Sequence, residues 1–458
     1  MHVEFNSELI ERYNQAGPRY TSYPTAVQFH EGFSEQDYRR CASDSNQKGG
    51  ALSLYFHIPF CNTVCFYCGC NKVVTKDRSK AAEYLDAMQR EMAMQASLFD
   101  SDRRVEQLHW GGGTPTFISH EQMTELMRQT RQHFNLCEDD SGEYSIEIDP
   151  READADTISL LRSLGFNRLS LGVQDFNPAV QKAVNRIQSE KETMKVIEVA
   201  RDEGFKSISL DLIYGLPRQS VDSFSETLDK IIAVQADRLS VFNYAHLPEM
   251  FKPQRRINVE ELPTAAAKLD IMQMIISRLT EAGYVYIGMD HFARPDDELA
   301  RAQAEGTLYR NFQGYSTHAD CDLVAMGVSG LGQVANSYSQ NVKTLDEYYQ
   351  RLNDGRLPVY RGIELNADDV LRRHIITRLM CDFHLDWQNI NNQFSIDSQD
   401  YFVVEYRALQ KMEQDGLLSL EGGKLQVSAA GRLLIRNIAM VFDRYLQVGS
   451  EQRFSRVI

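Results

Sequence analysis

The stretch LSLYFHIPFCNTVCFYCGCNK, residues 52–72, places four cysteines within ten residues, directly after an apolar run with strand character. They are Cys61, Cys65, Cys68 and Cys70. Three chemistries use thiols at such density: a disulfide framework, a zinc site and an iron–sulfur cluster. The other four cysteines, Cys41, Cys137, Cys321 and Cys381, are scattered and read as small hydrophobes. The opening MHVEFNSELIERYNQAG has no apolar segment of a secretory signal, so the compartment expected is the cytoplasm, where structural disulfides are rare. Structural zinc usually takes two separated cysteine pairs, and no second pair lies at that distance. Cys-x3-Cys-x2-Cys would give a 4Fe–4S cluster three ligands and leave one iron for an outside molecule.

Six further strand-like runs follow: VEQLHW (105–110), YSIEID (144–149), RLSLGVQ (168–174), SISLDLI (207–213), RLSVFNY (238–244) and YVYIGM (284–289). Helical periodicity fills the intervals at 80–98, 121–134, 158–164, 178–201, 220–234 and 264–282. Strands alternating with helices imply βαβ units on a parallel sheet. The fold class expected is α/β, a whole or partial (β/α) TIM-like barrel, with a doubly wound open sheet as the alternative. Polar and glycine residues gather at the C-terminal strand ends, where barrel active sites collect. After about 361 the rhythm changes to helices at 368–381 and 401–414, a hairpin within DGLLSLEGGKLQVSAAG, and a helix at 432–446. The expected division is an N-terminal arm (1–50) holding GPRYTSYPTA, a barrel with extension (51–360), and a small, mainly helical C-terminal domain (361–458).

The 458 residues are 43% hydrophobic and 25% charged, enough for a large core. The net charge of −15 argues against nucleic acid and anionic membranes as partners. No run reaches the roughly 18–20 apolar residues of a membrane helix. Without a coiled coil or apolar stripe, a monomer is expected. An anionic substrate would need local cations, for which Arg19, Arg255, Arg256 and Arg294 are candidates.

The second run exits into HWGGGTP, with Gly112, Gly113 and Thr114. This is neither a Walker loop nor G-x-G-x-x-G; it is a tight exit or a close backbone approach to a ligand. The next ends carry Glu147 and Asp149, then Gln174 and Asp175, then Asp211 and Tyr214, suited to hydroxyls or an amine. Arg186 is a surface helix charge or a fork for a carboxylate. Tyr55 is a core aromatic or a cation–π partner for a sulfonium.

The three-cysteine spacing, with Tyr67 before the third and barrel rhythm behind it, resembles the radical S-adenosylmethionine (SAM) superfamily. The strings GPRYTSYPT, YFHIPFCNTVCFYCGCNK, LHWGGGTPTF, SIEIDPRE, NRLSLGVQDFN, DLIYGLP, RLSVFNYAHLP and GMDHFARPDDELA resemble the oxygen-independent coproporphyrinogen III oxidases (dehydrogenases) over nearly the whole chain. The resemblance implies a partial barrel with a helical C-terminal domain, and oxidative decarboxylation of two propionates of coproporphyrinogen III to vinyl groups, giving protoporphyrinogen IX in haem biosynthesis. It implies a 4Fe–4S cluster on Cys61, Cys65 and Cys68, with Cys70 outside the ligand set, and two SAM molecules. Their contacts carry over to Tyr55, Tyr67, Gly112, Gly113, Thr114, Glu147, Gln174, Arg186, Asp211 and Ala245, and to Leu331 in AMGVSGLGQ. A reduced electron-donor protein, flavodoxin-like or similar, is implied as partner. The alternative is a haem-binding chaperone of the same superfamily. Such proteins resemble a shorter version lacking the GPRYTSYPT arm and the Cys-x-Cys ending, both present here.

Overall fold

The computed structural model describes residues 3–446. The chain divides into two compact units, neither contiguous in sequence: Phe29–Pro263 with Asp320–Glu364, and residues 3–28, 264–319 and 365–446. This division by compactness and the linear one read from sequence rhythm differ, because residues 264–319 leave the first unit and 320–364 return to it.

The first unit is built on strands β1 (Leu52–Ile58), β2 (Arg104–Gly112), β3 (Glu143–Ile148), β4 (Arg168–Gln174), β5 (Ser207–Tyr214) and β6 (Arg238–Asn243). Each runs parallel to the next. β7 (Asp322–Met326) pairs parallel with the other side of β1. β8 (Leu331–Val334), β9 (Ser337–Asn341) and β10 (Val359–Glu364) then continue the sheet antiparallel. β6 and β10 do not pair, so the barrel is partial. The run 284–289, expected as a seventh barrel strand, is instead Val285–Gly288, paired antiparallel with His291–Ala293 in the second unit. Its two-residue turn favours the local hairpin over a long crossover. The place beside β1 goes to β7, too short to stand out by periodicity.

Helices α1 (Ser79–Ala96), α2 (His120–His133), α3 (Ala155–Ser163), α4 (Pro178–Ala183), α5 (Glu190–Asp202) and α6 (Val221–Val234) fill the intervals. Capping boxes start three of them: Ser119 with Gln122, Ser189 with Glu192, and Ser220 with Ser223. Each pairing satisfies N–H groups that a helix start leaves open. The single helix expected over 178–201 is two, because Asn185 takes φ +54° between them. Gln181 donates to Gln188 O and accepts from its N–H, which closes the break.

Register explains why the lumen is polar. Tyr55 aligns with His109, His109 with Ser145, Glu147 with Ser170, and Asp211 with Gly172 and Ser240. Strand side chains alternate with period two, so these residues share one face. The other parity carries Leu54, Phe56, Ile58, Leu108, Trp110, Ile146, Leu169, Leu171, Leu210 and Leu212, all buried. Trp110 meets Phe166 edge-on at 4.8 Å. Truncating such a side chain to alanine costs about 3–5 kcal/mol.

In the second unit, helix Ala367–Asp382 buries Leu371, Ile375, Ile376 and Leu379. Strands His384–Asp386, Leu418–Glu421 and Lys424–Val427 form a small sheet that includes the expected hairpin. The helix expected at 432–446 is shorter: a 3-10 turn Gly431–Leu434 leads into Ile435–Met440. Asp443 ends the helical run by accepting from Tyr445 N and Tyr20 OH, a local alternative to backbone pairing. GPRYTSYPTA is a loop, as its prolines predict, but the helix Glu35–Lys48 behind it was not anticipated. Among the described residues, no helix is long and apolar enough to cross a membrane.

Candidate active site

Four thiols, Cys61, Cys65, Cys68 and Cys70, line one cavity of about 230 Å³ at the C-terminal strand ends of the first unit. Cys65 is buried, Cys61 and Cys68 are half-buried, and none is in a disulfide. The loop is held from several sides. Phe60 is fully buried between Tyr84 and Phe117, at 5.4 and 5.3 Å. Phe66 N donates to Val184 O, Asn185 Nδ2 to Val64 O, and Gln254 Nε2 to Tyr67 O.

The glycine exit of β2 is laced to the same loop. Gly113 N donates to Ile58 O and Thr114 N to Phe60 O, both at 2.8 Å. A Cβ on Gly113 would stand 2.6 Å from Pro59 C and 2.7 Å from Phe60 O. Gly112 has φ +115°, and a Cβ there would meet the His57 ring at 2.7 Å. Glycine is required at both positions by the protein's own backbone and side chains.

Charge is arranged in two linked groups. Arg186, between α4 and α5, places Nη1 2.9 Å from Asp149 Oδ2 and 3.6 Å from Cys65 Sγ. Arg151 holds Asp149 through Nε and Nη2, and its Nη2 lies 3.8 Å from Cys65 Sγ. Burial pushes the Asp149 carboxyl up, but Arg186 and Arg151 outweigh it and hold it below the usual carboxylate range. In the second group, Gly112 N donates to Glu147 Oε2 at 2.9 Å, and His109 Nε2 lies 3.5 Å from Oε1. Depth in the barrel pushes Glu147 up; His109 and Gly112 reverse this and keep it ionised. Asp211, which accepts from Ser170 Oγ, is pushed up to about 6 by burial and by Glu147. At the loop, donation from Cys70 and the charge of Lys72 draw the Cys68 thiol down to about 5 against burial, while burial raises Cys61 to about 11. Thiolate is the ligand form, and a bound metal would draw out the remaining protons.

The cavity gathers eleven of the expected residues: Cys61, Cys65, Cys68, Tyr67, Gly112, Gly113, Thr114, Glu147, Gln174, Arg186 and Asp211. Gln174 has φ +66°, a strained value for a non-glycine residue. Tyr55, Ala245 and Leu331 are not in its wall. Tyr55 stacks on His109 at 5.8 Å and hydrogen-bonds His57 at 3.1 Å. Ala245 follows β6, and Leu331 opens β8. Of the candidate cations, Arg255 donates to Pro248 O, Arg256 lies over the Phe66 ring, Arg294 is beside Asp296, and Arg19 pairs with Asp290.

Sequence reading missed His109, Arg151 and Glu91. Glu91, on α1, is fully buried and accepts from Gly327 N, Asn341 Nδ2 and Tyr348 OH. Asn341 Nδ2 also donates to Gly327 O, so this glycine is gripped at both peptide atoms. Tyr84 OH donates to His57 O and accepts from Val328 N. The knot joins β1, α1 and the segment leading to Leu331. Its signal was available: Tyr84, Met88, Glu91, Met92 and Gln95 form one helical stripe, with a carboxyl on the apolar face.

The residues fit a cluster with three thiolate ligands and a polar small molecule beside it. Thr114 Oγ1 (3.5 Å from Cys61 Sγ), Arg186 and Arg151 offer donors to ligand sulfurs. Arg186 Nε is buried without a protein partner, as a donor awaiting a ligand would be. The profile described as Radical SAM superfamily matches residues 55–231, and one described as HemN C-terminal domain matches 365–434. The first defines the class: a radical SAM protein, with a 4Fe–4S cluster and SAM. The chain is 54% identical to the oxygen-independent coproporphyrinogen III oxidase of Pseudomonas aeruginosa, covering 100% of this chain and 99% of that protein. It is 50% identical to the Escherichia coli protein of the same name, with the same coverage. A solved structure of coproporphyrinogen III oxidase (HemN) from Escherichia coli, described as a radical SAM enzyme, superposes with a TM-score of 0.93 at 48% identity, over 97% of this chain and 100% of that one. The chain therefore belongs to the oxygen-independent coproporphyrinogen III oxidase family.

Proposed function

We propose that this protein converts coproporphyrinogen III to protoporphyrinogen IX without oxygen, by oxidative decarboxylation of two propionates. For each propionate, one β-hydrogen atom, one carbon dioxide and one electron leave, and a vinyl group remains. The full-length match to the oxidases supports this reading over the haem-binding chaperone. The single observation that carries it is the convergence of the cysteine loop, with its four free thiols, the glycine exit and four polar strand ends on one cavity.

Cys61, Cys65 and Cys68 would hold the cluster; Cys70 also lines the cavity, with its N–H 3.4 Å from Cys68 Sγ, and by the family resemblance it would stay outside the ligand set. Bound there, the cluster and SAM would supply the one-electron chemistry for removing that hydrogen atom. This chain's residues orient and shield. Arg186 and Arg151 place positive charge beside Cys65 and favour the electron-rich state of whatever that sulfur ligates. Glu147, kept anionic, suits the SAM amine, and Asp211 suits ribose hydroxyls. Tyr55, Tyr67, Gly112, Gly113, Thr114, Gln174, Ala245 and Leu331 complete the contacts, which we assign to two SAM molecules. A reduced flavodoxin-like donor, a monomeric state and a cytoplasmic setting complete the proposal.

The test is anaerobic reconstitution followed by reductant, SAM and coproporphyrinogen III. Formation of 5′-deoxyadenosine with protoporphyrinogen IX is expected. Cys65→Ser should abolish both products; a variant that still makes them refutes the ligand assignment. Tight haem binding by the wild type without turnover would favour the chaperone.

A further inference from the structure

Within the first unit, the chain that leaves β6 doubles back against the cysteine loop and grips it beside one thiol. Tyr244 and Ala245 follow the strand, and Ile257 closes the excursion. Tyr244 and Ile257 are buried in one apolar cluster with Val180, Val184 and Leu216, and Phe66 and Tyr67 of the cysteine loop pack against it. Between these anchors Leu247 O accepts from Met250 N and Phe251 N, and the backbone enters a 3-10 turn, Lys252–Arg256. Pro253 falls at the start of that turn, where its missing N–H costs little.

Gln254 lies on this turn and is 3% exposed. Its Oε1 accepts from Leu247 N at 2.6 Å, and its Nε2 donates to Tyr67 O at 3.0 Å. One partner is a donor and the other an acceptor, so an amide serves both and an ionised carboxylate would not. A glutamine that only closed its own turn would need Leu247 alone; the second bond reaches 187 residues back along the chain. Tyr67 O belongs to the peptide immediately ahead of Cys68. Immediately after Cys68, a Cβ on Gly69 would stand 3.1 Å from the Phe251 ring. The same segment therefore abuts the loop on both sides of this cysteine. The Cys61 end is held separately, by Thr114 N on Phe60 O and Thr75 N on Cys61 O.

We propose that Gln254 is a positioning residue for the SAM site. It fixes the peptide that aims Cys68 and ties it, through Leu247, to the exit of β6 that carries Ala245. Cys68 is a proposed cluster ligand and Ala245 a proposed SAM contact, and the inference rests on that reading. Gln254 is not in the cavity wall and acts through Tyr67, which is. Its amide holds the thiol and the strand exit at a set separation, so its loss weakens SAM binding while the barrel stays folded.

The test compares full-length wild type, Gln254→Met and Gln254→Glu. Methionine keeps the length and removes both bonds; an ionised glutamate keeps the bond to Leu247 and sets an oxygen against Tyr67 O. The first arm is hydrogen–deuterium exchange on the protein before reconstitution. Residues 65–71 should exchange about tenfold faster in both variants, the scale of one polar group left unpaired, while β1 and β2 stay within about twofold. Exchange at Leu247 should quicken in Gln254→Met alone. The second arm titrates SAM against the paramagnetic resonance spectrum of the reduced, reconstituted cluster. The SAM concentration at half change should rise about tenfold, with KM for coproporphyrinogen III within about threefold. Exchange of residues 65–71 within about twofold of wild type overturns the proposal, as does a half-change within about threefold. So does faster exchange throughout the first unit with a lowered Tm, the mark of a merely structural glutamine. If a variant takes up no iron, exchange confined to residues 65–71 supports the proposal and general exchange overturns it. If neither variant folds, the proposal fails. A wild-type cluster whose spectrum SAM leaves unchanged would sink the reading of the site instead; the exchange arm still judges Gln254, so the two failures are distinguishable.

Discussion

Two carboxylates lie deep in the first unit and are treated in opposite ways. Asp149, at the cavity rim, is clamped by two guanidiniums and stays ionised below the usual range. Glu91, on α1, receives only neutral donors, and burial drives it up to about 7 despite them. Depth alone does not decide a carboxyl's charge; the formal charge of its partners does. The rim keeps its ions because two guanidiniums offset what burial costs the carboxylate. The knot under α1 keeps a polar centre because it fixes peptide groups that apolar packing would not hold in register.

The largest effect should come from breaking the rim pair. Asp149→Asn leaves Arg186 and Arg151 without their shared counter-ion, and SAM-dependent turnover should fall about a hundredfold or more. Assays of 5′-deoxyadenosine formation over a SAM titration would show it; activity within a few-fold of wild type would count against the arrangement. Next is Glu91→Gln, which turns an amide donor toward a group that now donates to Glu91. It should cost about 1–3 kcal/mol of stability by denaturant titration, while the reconstituted cluster keeps its absorption spectrum.

Acidity sharpens the contrast. Glu91 titrates higher in the folded state than its ordinary value of about 4.3. Its ionisation therefore weakens the fold as pH rises from about 4 to about 7, and the deficit of Glu91→Gln should shrink over that interval. Asp149 titrates lower when folded. Its contribution is complete above its unfolded value near 3.9 and is lost as pH falls below it, so the Asp149→Asn deficit should fade only in acid. Melting curves of both variants from pH 3 to 8 would test the opposite slopes; parallel slopes would contradict the assigned directions. The smallest change is Tyr55→Phe. It keeps the ring on His109 and loses one hydroxyl contact to His57, so turnover should drop less than about tenfold.

Sequence and structure agree where a short-range pattern carried the information. The six strands and their helices followed from periodicity, and the thiols from their spacing. The failures share a cause. α4 and α5 are separate because Asn185 turns left-handed, and that turn sets Arg186 beside Asp149; a helical pattern has no symbol for it. β7–β10 are short, and their register depends on partners far away in the chain. His109 and Arg151 belong to no spacing motif: His109 reaches Glu147 only when β2 and β3 lie side by side, and Arg151 reaches Cys65 only when the cysteine loop meets the end of β3. Val285–Gly288 had the right composition for a barrel strand, but a nearby hairpin partner took it first.

The lacing between Gly113 and Phe60 constrains anyone who would redesign this pocket for a bulkier sulfonium. Enlarging the glycine exit would shove Pro59 and Phe60, and with them Cys61, the first of the proposed cluster ligands, so room and ligand would be lost together. Space must be found across the mouth instead, at Ser170, where trimming a hydroxyl would release one bond to Asp211 and leave the cysteine loop at rest.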